Sequence, residues 1–317
     1  MTSYLVTGGA GFIGSHLVES LLADGHRVRV LDNLSTGSRS NLPEDAELLV
    51  DDLADYQAVR DAMDGVDKCF HLAAVASVER CNRDWPGTSR INLGGTIHVL
   101  DCARALGGVP VVYASSAAIY GTSRSTPLRE DLDPNPVSSY GADKLACEIY
   151  ARVAAESGAA PATGMRIFNV YGPRQSPESD YSGVISIFIE RLSRGLPLVV
   201  NGDGRQVRDF VYIDDVVRTF RAAMDLTDRG AKVFNICTGR ATSILELAET
   251  LSELYQVSPQ IDEAPPRLGD VRTSIGDPRA AIESLGVECR TPLREGLRQT
   301  IESQPRELAV LTGNGAR

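Results

Sequence analysis

Through the first 170 residues, short apolar runs alternate with amphipathic stretches. The runs Tyr4–Thr7, Arg27–Leu31, Glu47–Val50, Lys68–Leu72, Val109–Ala114 and Ala162–Phe168 have the length and content of buried strands. Gly14–Asp24, Tyr56–Met63, Gly94–Arg104 and Tyr140–Ser157 read as helices. In the third of these, Ile97, Leu100, Cys102 and Ala103 recur near helical spacing. Repeated alternation of strand and helix predicts a doubly wound α/β architecture, a parallel sheet covered on both faces.

The pattern changes after Tyr171. Residues 172–182 are rich in Pro, Ser and charge and read as a loop. A helix over Ile185–Gly195, strands over Leu198–Val200 and Val233–Ile236, and a helix over Ile244–Tyr255 capped by Ser243 follow. The last dozen residues read as a frayed tail. Two units are expected: residues 1–170 as a nucleotide-binding domain, and residues 171–317 as mainly a smaller C-terminal α/β substrate-binding lobe. Some segments of the second are expected to cross back to the first sheet.

Composition narrows the classes. Of 317 residues, 43% are hydrophobic and 23% charged, which argues against disorder. A net charge of −10 makes a nucleic-acid backbone a poor partner. The longest uncharged run, Leu106 to Ser123, is broken by Gly107, Gly108 and Pro110, so no membrane span is expected. No basic region precedes the first strand. The six cysteines are scattered without C-x-x-C and the four histidines lack ligand spacing. Reduced thiols, no metal site and a cytoplasmic location are the expectations.

Thr7-Gly8-Gly9-Ala10-Gly11-Phe12-Ile13-Gly14 follows the first strand and opens the first helix, the context of a dinucleotide fingerprint. Gly8 allows the tight turn, Gly11 a close approach to a pyrophosphate, and Gly14 close helix–strand packing. Asp32 closes the second strand, 18 residues after Gly14. A carboxylate there accepts from ribose hydroxyls and repels a 2′-phosphate, so NAD is favoured over NADP. The fold class expected is therefore a Rossmann sheet.

Tyr140-Gly141-Ala142-Asp143-Lys144 places Tyr and Lys four apart on one helical face. Chance placement of the tyrosines and lysines gives about 0.1 such pair. Ser116 follows an apolar strand, and ligands bind at the C-terminal edge of parallel sheets. A phenol with a reference pKa of about 10 is a poor base unless cations depress it. Lys144 and a nicotinamide ring supply such charge. Tyr140 then takes a proton from a hydroxyl as hydride leaves the same carbon, and Ser116 hydrogen-bonds that oxygen.

Together these residues resemble the extended short-chain dehydrogenase/reductase family, in its nucleotide-sugar 4-epimerase branch. The resemblance runs from Leu5 to about Leu297. It adds Asp32-Asn33-Leu34-Ser35-Thr36-Gly37, Asp51-Asp52-Leu53, His71-Leu72-Ala73-Ala74, Asn92 with Gly95-Thr96, Arg166 through Gln175, Gly202-Asp203-Gly204, Arg208 through Asp215, and Arg267-Leu268-Gly269-Asp270. It implies that Phe12, Ile13, Asn33, Ser35, Thr36, Gly37, Asp52, Leu53, Leu72, Ala73, Ala74, Ala76, Asn92, Ser115 and Phe168 join Tyr140 and Lys144 around NAD. It also implies that Asn169, Arg208 and Arg267 clamp a UDP diphosphate, a task suited to guanidiniums. Asp270 falls at the uridine ribose, while Val184, Ile185 and Asn201 flank the base. His71 reads as structural, Phe210 and Tyr212 as core, and Asp214-Asp215 as a helix N-cap. A homodimer through a four-helix bundle is implied, with Val99, Leu145 and Ile149 on its outer faces.

The reaction implied is reversible 4-epimerisation of a UDP-sugar through a 4-keto intermediate. Dehydratases of the family carry Asp-Glu, and decarboxylases keep the Glu, where this chain has Ala117 and Ala118. Methyl groups move no protons. A non-catalytic NAD-binding member remains the alternative of another class. By the resemblance, Ser274 falls at a pocket-wall position and leaves space for an N-acetyl group, Ser77, Asn169 and Gln175 align with polar sugar contacts of epimerases that favour N-acetylated hexosamines, and Ala76 is small where other epimerases have Lys. UDP-GlcNAc/UDP-GalNAc interconversion is expected, with UDP-Glc/UDP-Gal as a second pair. UDP-glucuronate is the alternative substrate.

Overall fold

The computed structural model describes residues 1–123, 125–177, 183–227, 231–266 and 271–304. Seven strands form the central parallel sheet: β1 (Ser3–Thr7), β2 (Arg27–Leu31), β3 (Glu47–Leu49), β4 (Lys68–His71), β5 (Val111–Ser116), β6 (Ala162–Ile167) and β11 (Lys232–Ile236). Their order across the sheet is β11-β6-β5-β4-β1-β2-β3. Strand alternation divides the core into two layers. Leu5, Leu31, Cys69, Val111 and Tyr113 face helices α2 (Tyr56–Met63), α5 (Gly95–Ala105) and α6 (Ser139–Glu156). Val6, Val28, Val30, Phe70 and Val112 face α1 (Phe12–Ala23) and α8 (Ile213–Met224). Both faces are covered, so the strands read as nearly continuous apolar runs.

Two short helices, α3 (Val78–Arg83) and α4 (Trp85–Ser89), and a π-helical turn over Arg90–Gly94 lead into α5. After β6, the chain forms β7 (Asn169–Tyr171), α7 (Val184–Ser193), β8 (Leu198–Asn201), β9 (Val207–Arg208) and β10 (Phe210–Tyr212). Following β11 come β12 (Thr242–Ser243), α9 (Ile244–Leu254), β13 (Ile261–Ala264), β14 (Thr273–Ser274), α10 (Arg279–Leu285) and α11 (Leu293–Glu302). These strands build three small sheets, β10-β7, β12-β9-β14 and β13-β8. One apolar cluster joins Phe188, Leu198, Leu247 and Leu251 of this half to Leu17 and Phe70 of the first. Ser243 begins α9 in a full capping box with Glu246.

Four differences from the sequence reading have local causes. β5 runs two residues later than expected, because Gly108 and Val109 donate to Ala103 O and close the end of α5. That shift carries Ser115 and Ser116 into the strand. α8 was not legible as a helix, and Asp214 and Asp215 occupy its first turn instead of capping it. There they oppose the partial positive charge of the helix N-terminus. Asp215 is fully buried and accepts from the Thr291 amide at 3.0 Å. Val99 is 0% exposed within the α2/α5 layer, so it belongs to the core and not to an outer face. Phe210 and Tyr212 are core, as their apolar surroundings require. The C-terminal tail lies outside the described residues.

Candidate active site

A cleft of about 740 Å³ opens at the C-terminal edge of the sheet. The β1–α1 turn forms its floor. Gly8 has φ +69°, and a Cβ there would sit 2.6 Å from the Ala73 amide nitrogen. A Cβ on Gly14 would collide with the Gly8 carbonyl, so helix and turn touch through bare backbone. Gly11 begins α1 without a side-chain cap, and Gly11, Phe12 and Ile13 line the cleft. The first amides of α1 therefore lack intrahelical acceptors where a pyrophosphate would sit.

Asp32 lines the same cleft. Its carboxylate accepts from the amides of Ala10 and Leu34, each at 2.9 Å. Burial raises its pKa, and those two hydrogen bonds pull the other way. Asn33 donates to Asp52 at 3.0 Å and turns the chain by accepting from the Ser35 amide. Ser35, Thr36, Asp52 and Leu53 border this end. Gly37 does not reach the cleft; it packs on Ala10, where a Cβ would lie 2.9 Å from that carbonyl carbon.

The loop Leu72-Ala73-Ala74-Val75-Ala76 forms one wall. Thr7 Oγ1 accepts from the Leu72 and Ala73 amides, and His71 Nδ1 meets the same hydroxyl at 2.7 Å. The other ring nitrogen of His71 meets Thr96 Oγ1 at 2.9 Å. Burial, aided by the charge of Lys144, drives the His71 pKa down to about 3, so the ring stays neutral and structural. Asn92 lies behind the loop, 1% exposed. It exchanges two hydrogen bonds with the Val75 backbone, at 2.7 and 3.1 Å. Its contribution to the cleft is to hold the loop. Ser77 is likewise buried, and its hydroxyl caps α3 by accepting from the Arg80 amide.

Ser116, Tyr140 and Lys144 meet in the cleft although they come from different elements. Ser116 closes β5, and its hydroxyl accepts from the Ala118 amide at 3.1 Å. Tyr140 and Lys144 lie one turn apart near the start of α6. Lys144 is 4% exposed, and its ammonium donates to Ala114 O at 2.8 Å and lies 5.8 Å from the Tyr140 ring centre. Phe168 and Gln175 also border the cleft. Ser115 borders it too, but its hydroxyl donates to Glu148.

The residues implied for a nucleotide-sugar fall along the second half. Asn169 starts β7, paired with Phe210. Arg208 and Ser274 are register partners across β9 and β14. Asn201 ends β8, while Val184 and Ile185 open α7 after Gly183. Ile185 is buried, and neither it nor Val184 lines the cleft. Arg267 and Asp270 lie outside the described residues. Sequence reading missed Asn41, Asp51, Arg80, Ile91 and Arg174, all of which line the cleft. Arg174 was within reach, beside Gln175; Arg80 sits on a helix too short to show a period. Among the described residues, no group of side chains forms a metal cluster, and no helix is long and apolar enough to cross a membrane.

Comparison with known proteins agrees with this geometry. Residues 4–237 match the NAD dependent epimerase/dehydratase family. The chain is 39% identical over 305 residues to the UDP-glucose 4-epimerase of Mycolicibacterium smegmatis, covering 94% of this chain and 97% of that protein. The UDP-glucose 4-epimerase of Thermotoga maritima, solved with UDP-glucose, superposes with a TM-score of 0.91 at 39% identity, over 95% of this chain and 98% of that one. A UDP-N-acetylglucosamine 4-epimerase from Methanobrevibacter ruminantium M1, in complex with UDP-N-acetylmuramic acid, gives 0.90 at 31% identity, over 95% and 97% of the two chains.

Proposed function

This chain belongs to the NAD-dependent epimerase/dehydratase family, and within it we propose that it inverts C4 of a UDP-hexose. The observation that carries the proposal is the meeting of Ser116, Tyr140 and Lys144 in one cleft with the glycine turn and Asp32, beside Ala117 and Ala118. The cleft fits a dinucleotide: uncapped amides at α1 for the pyrophosphate, a half-buried carboxylate for the adenosine ribose, and a wall held by Thr7 and Asn92.

Bound NAD supplies a hydride acceptor that returns the same hydride, so no net redox change occurs. Tyr140 takes the proton from the C4 hydroxyl, with the Lys144 ammonium 5.8 Å from its ring centre. Ser116 donates to the sugar oxygen and holds it against Tyr140. Inversion asks the diphosphate to be held while the 4-keto sugar turns its other face. Arg208 and Asn169 are assigned to the diphosphate, together with Arg267. Ala117 and Ala118 place no carboxyl beside the sugar, which disfavours dehydration and decarboxylation.

Ser274, in register with Arg208 across β9 and β14, is assigned to the wall of the sugar site, where its small side chain would leave room. UDP-GlcNAc and UDP-GalNAc are the favoured pair, with UDP-Glc and UDP-Gal accepted. The test offers these four sugars and UDP-glucuronate separately to the purified protein without added NAD and reads the products by proton NMR. Interconversion of the N-acetyl pair supports the whole reading. Turnover of only the plain hexoses or the uronate overturns the pocket assignment. Inertness toward all five, with NAD supplied, overturns the reaction.

A further inference from the structure

α6 carries a third residue in step with Tyr140 and Lys144. Glu148 lies one turn beyond Lys144, on the same face. Its carboxylate is buried and takes a two-pronged ion pair from Arg166, with Nε to Oε1 at 3.0 Å and Nη2 to Oε2 at 2.8 Å. Ser115 donates its hydroxyl to Oε1 at 2.5 Å. Arg166 sits on β6 as the register partner of Ser115 on β5. Its Nη1 donates to the Tyr120 hydroxyl at 2.9 Å and to Glu130 O at 3.0 Å. Tyr120 in turn donates to Asn235 of β11 at 2.7 Å. One buried network thus ties α6 to three adjacent strands, at the residue next to Ser116.

Stability is a weak reason for such a network. A buried ion pair loses hydration on both sides, and well-packed apolar residues often do as well or better. What apolar residues do not supply is direction. The forked contact admits one rotation of α6 about its axis relative to β5, whereas a greasy contact admits a range. The phenol oxygen of a helical Tyr lies roughly 9 Å from the helix axis, so a rotation of about 10° moves it by about 1.5 Å. Displacements of that size cost on the order of 100-fold in rate.

We propose that Glu148 and Arg166 are positioning residues, which set the rotation of α6 so that the Tyr140 phenol meets the oxygen held by Ser116. The inference rests on the epimerase reading above. Glu148 and Arg166 do not line the cleft; they act through Tyr140 and Lys144.

The experiment compares the parent protein with Glu148→Gln, which keeps shape and loses charge, and with the paired Glu148→Met/Arg166→Met. The single variant leaves Arg166 buried without its partner and can fail to fold; the pair leaves no orphan charge. Melting temperature, bound NAD, kcat and KM are measured for each. The expected result for the paired variant is a melting temperature at or above that of the parent, full NAD and KM within twofold. Its kcat falls by about 10- to 100-fold. A paired variant with parental kcat overturns the inference and leaves the epimerase reading intact. So does a kcat that falls only in proportion to the folded, NAD-loaded fraction. A parent inert on every UDP-sugar offered overturns both.

Discussion

The ammonium of Lys144 on α6 donates to the carbonyl oxygen of Ala114 on β5 at 2.8 Å, two residues before Ser116. That bond fixes the cation against the strand whose end holds the serine, with the Tyr140 ring 5.8 Å away. Tyr140→Phe removes the proton acceptor and leaves the ring. Its kcat is expected to fall by roughly 10²- to 10⁴-fold with bound NAD unchanged. Product NMR on the variant, alongside NAD released by acid and quantified, checks this. Parental turnover would remove Tyr140 from the mechanism.

Asp32 is the residue assigned to the choice of dinucleotide, and its partial burial sets how that choice is expected to vary with pH. Its pKa is raised from 3.8, so the neutral form appears at a higher pH than in an exposed Asp. The ionised form repels a 2′-phosphate and the neutral form does not. The preference for NADH over NADPH is therefore expected to be largest at neutral pH and to narrow as pH falls toward the raised pKa. Fluorescence titration of the two cofactors at pH 7.5 and at about pH 5 reads the ratio. Asp32→Asn should show a small ratio at both. A parental ratio that does not move with pH would assign the selectivity to other groups.

Ser274 is the residue assigned to sugar size. Ser274→Tyr puts a large side chain on β14, in register with Arg208 of β9. Turnover of UDP-GalNAc is expected to fall by roughly 10- to 200-fold, the range for misfit of a small group. UDP-Gal turnover should stay within a few-fold. Equal losses for both sugars would mean that Ser274 bears on the diphosphate and not on C2.

Association of two copies is expected through α6. Ile149, Tyr150 and Val153 are 45%, 47% and 58% exposed on one stretch of that helix, whereas Val99 of α5 is buried within the subunit. Val153→Glu places a charge on that apolar face. Sedimentation should find twice the chain mass for the parent and the single-chain mass for the variant. A parent that sediments as a single chain would discard the four-helix bundle.

The order of the strands and of the four longer helices through residue 170 was legible because each of these elements announces itself locally, whereas α3 and α4 are too short to show a period. Leu5 and Val6 are both apolar because a central parallel strand is covered on both faces. The fingerprint was legible because Gly8 and Gly14 answer steric demands between near neighbours in sequence. Periodicity says which side chains leave water, not what covers them. Val99 reads as an outer face because only the packed structure shows that it belongs to one buried cluster with Val59 and Met63 of α2. Ser77 and Asn92 read as ligand contacts because a polar residue near a site looks the same whether it caps a helix, holds a loop or touches a sugar.

The sequence by itself determined the sheet's elements, the turn at α1 and the spacing of Tyr140 from Lys144, all products of short-range backbone geometry. Only the tertiary structure decided that Ser116 faces them and that Glu148 closes on Arg166. Those contacts join residues 18 to 33 positions apart. Their partners are chosen by how layers pack, a condition that no window of neighbouring residues contains.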